Sequence, residues 1–380
     1  MLALLLALTQ PQLMLLIELT ISPRREEGAV PANSQNRLQP PGGRRSTRAV
    51  TLSDVAAMAG VSAQTVSRAI RLPNEVASGT LERVRDAVRA TGYVPNLAAS
   101  NLASNRSRLV ATLIPSISTS VFAEMLTAAQ AVLGTAGYQL VLGFTEYEDL
   151  LEEQLVRQLL GRRPDGVLLV GSTHTQAAAE MLRSADVPVV ETWGWTDTPI
   201  DDLVGFSNQA ATAELLTAMH AAGYRSPAFA GSLLPGDHRS RERIAGFRSA
   251  YAELYPEQEE RFVDSSGLPL TLESGAQLLG IMTERYPEMD IAMFTTDIFA
   301  NGAVLAATRR GTKVPDQLAI TGFGDFELSS AIIPALTTVT VPTSKIGRLA
   351  AERLLAKMEG RARGSESIRV EYQLALRETS

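Results

Sequence analysis

The chain has 380 residues, 45% of them apolar and 20% charged, which is the composition of a soluble globular protein of two or three domains. It has no cysteine and three histidines (His174, His220, His238), which rules out disulfides and thiolate metal sites and argues against a multi-histidine centre; no metal or cofactor is expected. Charge is unevenly spread. Residues 44–108 hold ten arginines against four acids, a balance of +6, inside a chain of net charge −6, so the rest is acidic. A basic module on an acidic body points to a polyanion partner for the module alone.

MLALLLALTQPQLMLLIELT opens the chain. No Lys or Arg precedes its apolar run, and Gln10, Pro11 and Gln12 interrupt it, so it reads poorly as a signal peptide or a membrane span. Residues 21–50 are rich in Pro, Gly, Ser and Arg. Residues 1–48 are therefore expected to be a disordered extension, or to lie upstream of the true translation start.

From Thr51 the pattern is helical. Leu52, Val55, Ala56 and Ala59 share one face; Thr51 or Ser53 caps the start, and Gly60 ends the helix. Ser62 caps a second helix, Ala63 to Ile70, which Leu72 and Pro73 stop. A third runs from Ser78 to Thr91 and Gly92 follows it. Two short helices across a tight turn, braced by a third, make a helix-turn-helix over 49–95, whose second helix enters a major groove by its N-terminal residues. Gln64 and Arg68 can each bond a purine edge at two points, and the Ala63 methyl can meet a thymine methyl. Thr51, Ser62, Thr65 and Ser67 suit phosphates, which position without specifying.

VTLSDVAAMAGVSAQTVSRAI and TGYVPNLAASNLASNRSRLV closely resemble the DNA-binding head of the lactose-repressor (LacI/GalR) family. The resemblance implies that residues 96–108 hold a hinge helix and linker. In the family this helix folds on DNA, pairs with its copy in a second subunit, and wedges a leucine into the minor groove. Tyr93, Pro95 and Asn96 match the motif, with Leu102 as the wedge. The residue chemistry agrees: Asn96 can cap, small alanines permit close pairing, and an apolar wedge can unstack a base step.

Over 109–380, apolar strand runs (LVATLI, YQLVLG, GVLLVG, VPVVE, LVGF, PAFAG, DIAMFT, LAITGF) alternate with helical segments near 121–136, 149–160, 176–185, 208–222, 240–254, 272–286, 298–310 and 344–359. The expected fold class is α/β: parallel sheets covered by helices on both faces, in two lobes with a ligand cleft between them. Strand ends nominate Ser116, Thr119, Phe122, Thr173, His174 and Glu191 for the cleft. Phe122 is either a stacking platform or lobe core, and His174 either holds a ligand or caps the next helix. Trp193 and Trp195 face either the pocket or the lobe interface. The resemblance extends here through RIAGF, TTDIFANGA and KVPDQLAITGFGD, and implies a sugar-sensing core. Arg243 matches the family's sugar-binding arginine, and Thr296 and Asp297 a paired polar position. IPSISTSVFAEML, STHTQ and VVETWGWTDTPIDDLVGFSN bring a nearer likeness to the gluconate-utilisation (GntR-like) branch. Many relatives carry an aspartate after the glycine–aromatic pair that closes a strand; here Gly324 stands there, with Asp325 next, and one acidic hydroxyl-binder is lost. That favours an anionic ligand, a sugar acid, held by Arg243 and His174.

No P-loop, G-x-S-x-G, H-E-x-x-H or complete G-x-G-x-x-G follows a strand, so an enzyme is not expected. The expected function is a cytoplasmic dimeric transcriptional regulator, a repressor in the family's manner, binding pseudo-palindromic operator duplex, responding to a small sugar or sugar acid, and making no membrane contact. The rival is a secreted sugar-binding protein for transport, which would have no use for residues 51–106.

Overall fold

A computed structural model describes residues 50–94, 106–117 and 120–380. The expected extension, the hinge residues Asn96 and Leu102, and Thr119 lie outside these residues. The chain divides into two compact units, up to Pro95 and from Asn96 onward.

The first unit contains α1 (Leu52–Ala59), α2 (Ala63–Arg71), a 3₁₀ turn (Pro73–Glu75) and α3 (Ser78–Thr91). Thr51, rather than Ser53, caps α1. Its hydroxyl accepts from the Asp54 amide while the Asp54 carboxylate accepts from the Thr51 amide, a reciprocal capping box. Gly60 ends α1 at φ 65, a left-handed turn that a side chain would resist. Ser62 starts α2 by accepting from the Thr65 amide at 3.1 Å. Val55, Ala56, Ala59, Val66, Ala69, Val84 and Ala87 form the small core. Each larger member contributes about 1.5–3 kcal/mol by leaving water, so few of them can be spared in a core of this size.

The second unit has two lobes. Lobe 1 is a six-stranded sheet in the order β11-β5-β4-β3-β1-β2 (Ser367–Arg369, Asp202–Gly205, Val189–Thr192, Gly166–Val170, Leu109–Ile114, Gln139–Phe144), parallel throughout. Alternation in the strands explains its layers. Val110, Leu168, Val190 and Val204 face α4 (Ser120–Thr135) and α12 (Thr343–Met358). Ala111, Leu113, Val167, Leu169 and Val189 face α5 (Asp149–Leu160) and α6 (Gln176–Arg183).

Lobe 2 repeats the plan in a four-stranded parallel sheet, β7-β6-β8-β9 (Phe262–Asp264, Pro227–Gly231, Ile291–Phe294, Ala319–Thr321). Phe229, Ile291 and Met293 pack on α7 (Asn208–Ala222) and α8 (His238–Leu254). Ala228, Ala292, Phe294 and Ile320 pack on α9 (Leu272–Arg285) and α10 (Asp297–Arg310). Helix pairs meet closely at glycine: a Cβ on Gly246 of α8 would lie 2.1 Å from the Gln209 carbonyl oxygen of α7.

The chain crosses between lobes after β5, again between β10 (Thr338–Thr340) and α12, and again between β11 and β12 (Gln373–Ala375), which pairs antiparallel with β10. A short α11 (Glu327–Ala331) precedes β10. The eight expected strands and eight expected body helices are all present; the elements at 109–114, 149–160, 208–222 and 227–231 keep their expected ends, and the ends of the others shift by one to a few residues. The three-residue strands β7, β10, β11 and β12, together with α11, are additional. Their segments are too short to show a period.

Candidate functional site: a helix-turn-helix surface and an interlobe cleft

The second helix of the head, α2, presents polar side chains at the surface. Gln64 and Arg68, one turn apart on α2, are exposed, and among the described residues no carboxylate pairs with Arg68. Their donors are therefore available to base edges. Ala63 is half-buried against the head core, and so is the Tyr93 ring, which braces the end of α3. The Thr51 hydroxyl donates to the Asp54 carboxylate at 2.7 Å, and the Ser62 and Thr65 hydroxyls meet at 2.8 Å. These groups set the helix starts. Ser67 is half-buried.

In the second unit, the carboxyl ends of both sheets face a cleft holding a cavity of about 220 Å³, the scale of a small organic molecule. Lobe 1 supplies Phe122 from the start of α4, Tyr147 before α5 and Trp193 after β4. Lobe 2 supplies Arg239, Ser240 and Arg243 from α8, Ser265 after β7, Thr295 and Thr296 after β8, and Phe323 after β9. The aromatic walls hold one another. Phe122 meets Trp193 edge-on at 5.2 Å, and Trp193 Nε1 donates to Met125 Sδ at 3.0 Å. Phe122 is thus both lobe core and cavity wall. Trp193 lines the cavity, whereas the Trp195 ring lies under the Arg369 guanidinium, 4.3 Å away.

Arg243 lies over the Phe323 ring at 3.7 Å. Its Nε donates to Asn208 Oδ1 at 3.0 Å and its Nη1 to the Thr295 carbonyl at 2.6 Å. Both acceptors are neutral, and Glu242 beside it instead accepts from Asn208 Nδ2 at 2.9 Å. Burial, and then the neighbouring Arg239 charge, push Arg243 down to about 10, so it remains a cation at neutral pH. The hydroxyl of Ser265, a cavity-lining residue, is buried and has no hydrogen-bond partner among the described residues. A buried hydroxyl left unsatisfied is costly, and a ligand hydroxyl would complete it. Neither Ser265 nor Arg239 was nominated by sequence. Ser265 follows a three-residue strand with no visible pattern, and Arg239 sits among four charged residues in HRSRER.

Other nominated residues take different places. His174 does not line the cavity. Its Nδ1 lies 2.6 Å from Glu152 Oε1 and its Nε2 3.3 Å from Glu191 Oε1, with the ring buried inside lobe 1. Burial alone would lower its pKa, but hydrogen bonds and charges from the two glutamates outweigh this and push it up to about 9. Glu191 is wholly buried, and its other oxygen accepts from the Ile200 amide. Thr173 is exposed outside the cavity, and Ser116 is half-buried at the end of β1 away from the lining. Asp297 is buried and turned inward, accepting from Thr338 Oγ1 at 2.6 Å, Ser329 Oγ at 2.7 Å and the Phe326 amide at 2.9 Å. Thr296 lines the cavity and caps α10. Asp325 likewise points elsewhere, to Arg377 at 2.7 Å and Thr340. In each case a strand-end position was legible, but the direction of the side chain was not.

Among the described residues no cluster of His, Asp and Glu could hold a metal, and no helix is long and apolar enough to cross a membrane.

Residues 51–96 match the model of bacterial regulatory proteins, lacI family, and residues 216–380 that of the periplasmic binding protein-like domain. The HTH-type transcriptional regulator GntR of Pseudomonas aeruginosa is 36% identical over 338 residues, covering 88% of this chain and 97% of that protein. A crystal structure of a LacI-family transcriptional regulator from Silicibacter pomeroyi superposes with a TM-score of 0.81 at 36% identity, covering 87% and 99% of the two chains. The lac repressor dimer bound to operator and the anti-inducer ONPF gives 0.72 at 27% identity, covering 87% and 99%. A helix-turn-helix head with an exposed second helix, a two-lobed core with an interlobe cavity, and near full-length likeness converge on one conclusion: the chain belongs to the lacI family and is a helix-turn-helix transcriptional regulator.

Proposed function

We propose that the protein is a cytoplasmic, dimeric repressor that binds a pseudo-palindromic operator through α2 and releases it when a small sugar acid of the gluconate type fills the cleft. The observation that carries the ligand class is the cavity wall of α8. Arg243 spends its hydrogen bonds on neutral oxygens, and the single carboxylate lining the cavity among the described residues, Asp237, accepts from the Ser240 amide as the cap of α8. The α8 wall therefore presents two guanidinium groups, Arg239 and Arg243, with no ion-pair partner among the described residues, and such a wall favours an anionic ligand. Ser265, Thr295 and Thr296 offer groups for the ligand hydroxyls, and Phe323 and Phe122 offer apolar faces for its carbon chain. The likeness of several cleft segments to the gluconate-utilisation branch supports the same class.

On this reading Gln64 and Arg68 read bases, Thr51, Ser62 and Thr65 lie at helix starts suited to phosphate, and Ser67, further along α2, is a further phosphate contact. The dimer is supported by the edge strand β2, which leaves Leu142 and Phe144 exposed. Ligand and operator would favour different lobe arrangements, and their coupling would be reciprocal. Titration calorimetry of the full chain against gluconate, other aldonates, neutral hexoses and phosphorylated sugars tests the ligand class. Heat with an aldonate and none with neutral hexoses supports it; the reverse overturns it.

A further inference from the structure

Arg239 stands in lobe 2, one turn before Arg243 on α8, yet its guanidinium contacts belong to lobe 1. Its Cζ lies 5.6 Å from the Phe122 ring centroid and 5.7 Å from that of Tyr147, and its Nη1 donates to the Val170 carbonyl at 3.4 Å. The Tyr147 hydroxyl is its other hydrogen-bond partner; both partners are neutral, and no carboxylate lies within ion-pair distance among the described residues. A guanidinium has five N–H groups in a fixed fork, so several remain to be satisfied beside the cavity it lines. Two nearby contacts bring the same two segments together. His238 Nε2 meets Asp149 Oδ1 at 2.8 Å, and a Cβ on Gly236 would lie 2.0 Å from the Tyr147 carbonyl oxygen.

We propose that Arg239 is the residue that distinguishes an acidic effector from its uncharged counterpart, and that it does so from a position spanning both lobes. The proposal rests on the sugar-acid reading above and adds a division of labour to it. Arg243 is anchored within lobe 2 by Asn208 and Thr295, and serves polar groups of any small polyol. Arg239 is clamped by aromatic faces that leave its N–H edge open, and the ligand's negative charge supplies what the cleft does not. Because its aromatic partners sit on the opposite lobe, a carboxylate bound to Arg239 fastens the lobes together, whereas a neutral polyol fills the same space without that fastening.

The test is calorimetry on the full-length chain with two probes of equal length, D-gluconate and sorbitol, using wild type, Arg239→Gln and Arg239→Lys, with thermal melting to confirm folding. Wild type is expected to bind gluconate at least 30-fold more tightly than sorbitol. Arg239→Gln should reduce that ratio to within about 3-fold while sorbitol affinity stays level, and Arg239→Lys, which keeps the charge but loses the planar fork, should fall between. A wild-type preference that persists in Arg239→Gln overturns the role of Arg239 and leaves the sugar-acid reading standing. A wild type with no preference for gluconate or any other aldonate overturns both. Equal loss of both ligands in Arg239→Gln with unchanged melting would make Arg239 a general binding residue and also refute the proposal.

Discussion

His174 offers a quantitative test of how the core is built. It is buried between Glu152 and Glu191, and its proton is retained up to about pH 9. An unfolded histidine releases its proton near 6.5. A folded pKa raised above the unfolded one means that the stabilisation is complete below about pH 6.5 and is lost as pH rises through about 9. The difference corresponds to about 3 kcal/mol at 1.36 kcal/mol per pH unit. Replacing His174 with Gln removes the titration and leaves Glu191, only 1% exposed, facing an uncharged group. Urea unfolding followed by fluorescence is the assay, because both tryptophans, Trp193 and Trp195, follow β4 in lobe 1. His174→Gln should be less stable than wild type by about 3 kcal/mol or more at pH 6, and this gap should shrink by about 3 kcal/mol by pH 9. A gap that is the same at both pH values would refute the buried ion-pair account of this histidine.

Arg68→Ala should weaken specific operator binding by about 1–3 kcal/mol and leave random-duplex affinity nearly unchanged, as read by fluorescence anisotropy; equal losses on both would remove Arg68 as a base reader. Asp297→Ala leaves two buried hydroxyl donors and the part-buried Phe326 amide without their acceptor and should cost about 3 kcal/mol or more in lobe 2, seen by scanning calorimetry. Asp297→Asn keeping full stability while losing gluconate would instead place Asp297 at the ligand. Gly246→Ala puts a methyl against the Gln209 backbone and should cost about 1–3 kcal/mol; a neutral result would mean that α7 and α8 do not meet so closely.

The sequence carried the architecture well, because the strands of the two sheets are short apolar runs and their helices are long enough to show a 3.6 period. Caps and stops in the head were equally legible: Thr51, Gly60 and Ser62 act where their backbone chemistry puts them. The cleft was legible by strand-end position for Phe122, His174 and Glu191, and through the family resemblance for Arg243, Thr296 and Asp297. Phe122, Arg243 and Thr296 reach the cavity, whereas His174, Glu191 and Asp297, equally close to strand ends, turn inward to buried partners. Whether a polar strand-end side chain meets ligand or core depends on partners distant in sequence, such as Glu152 for His174 and Thr338 for Asp297. Ser265 was hidden for the opposite reason: nothing local marks it, and it stands out only because no group among the described residues meets its hydroxyl.

The most direct test of the regulator reading is an unbiased duplex selection with the purified full-length protein at moderate salt, repeated with a saturating aldonate. The account predicts enrichment of one pseudo-palindromic sequence without ligand and its loss when the aldonate is present. No enriched sequence, or one whose enrichment the aldonate leaves untouched, would contradict it.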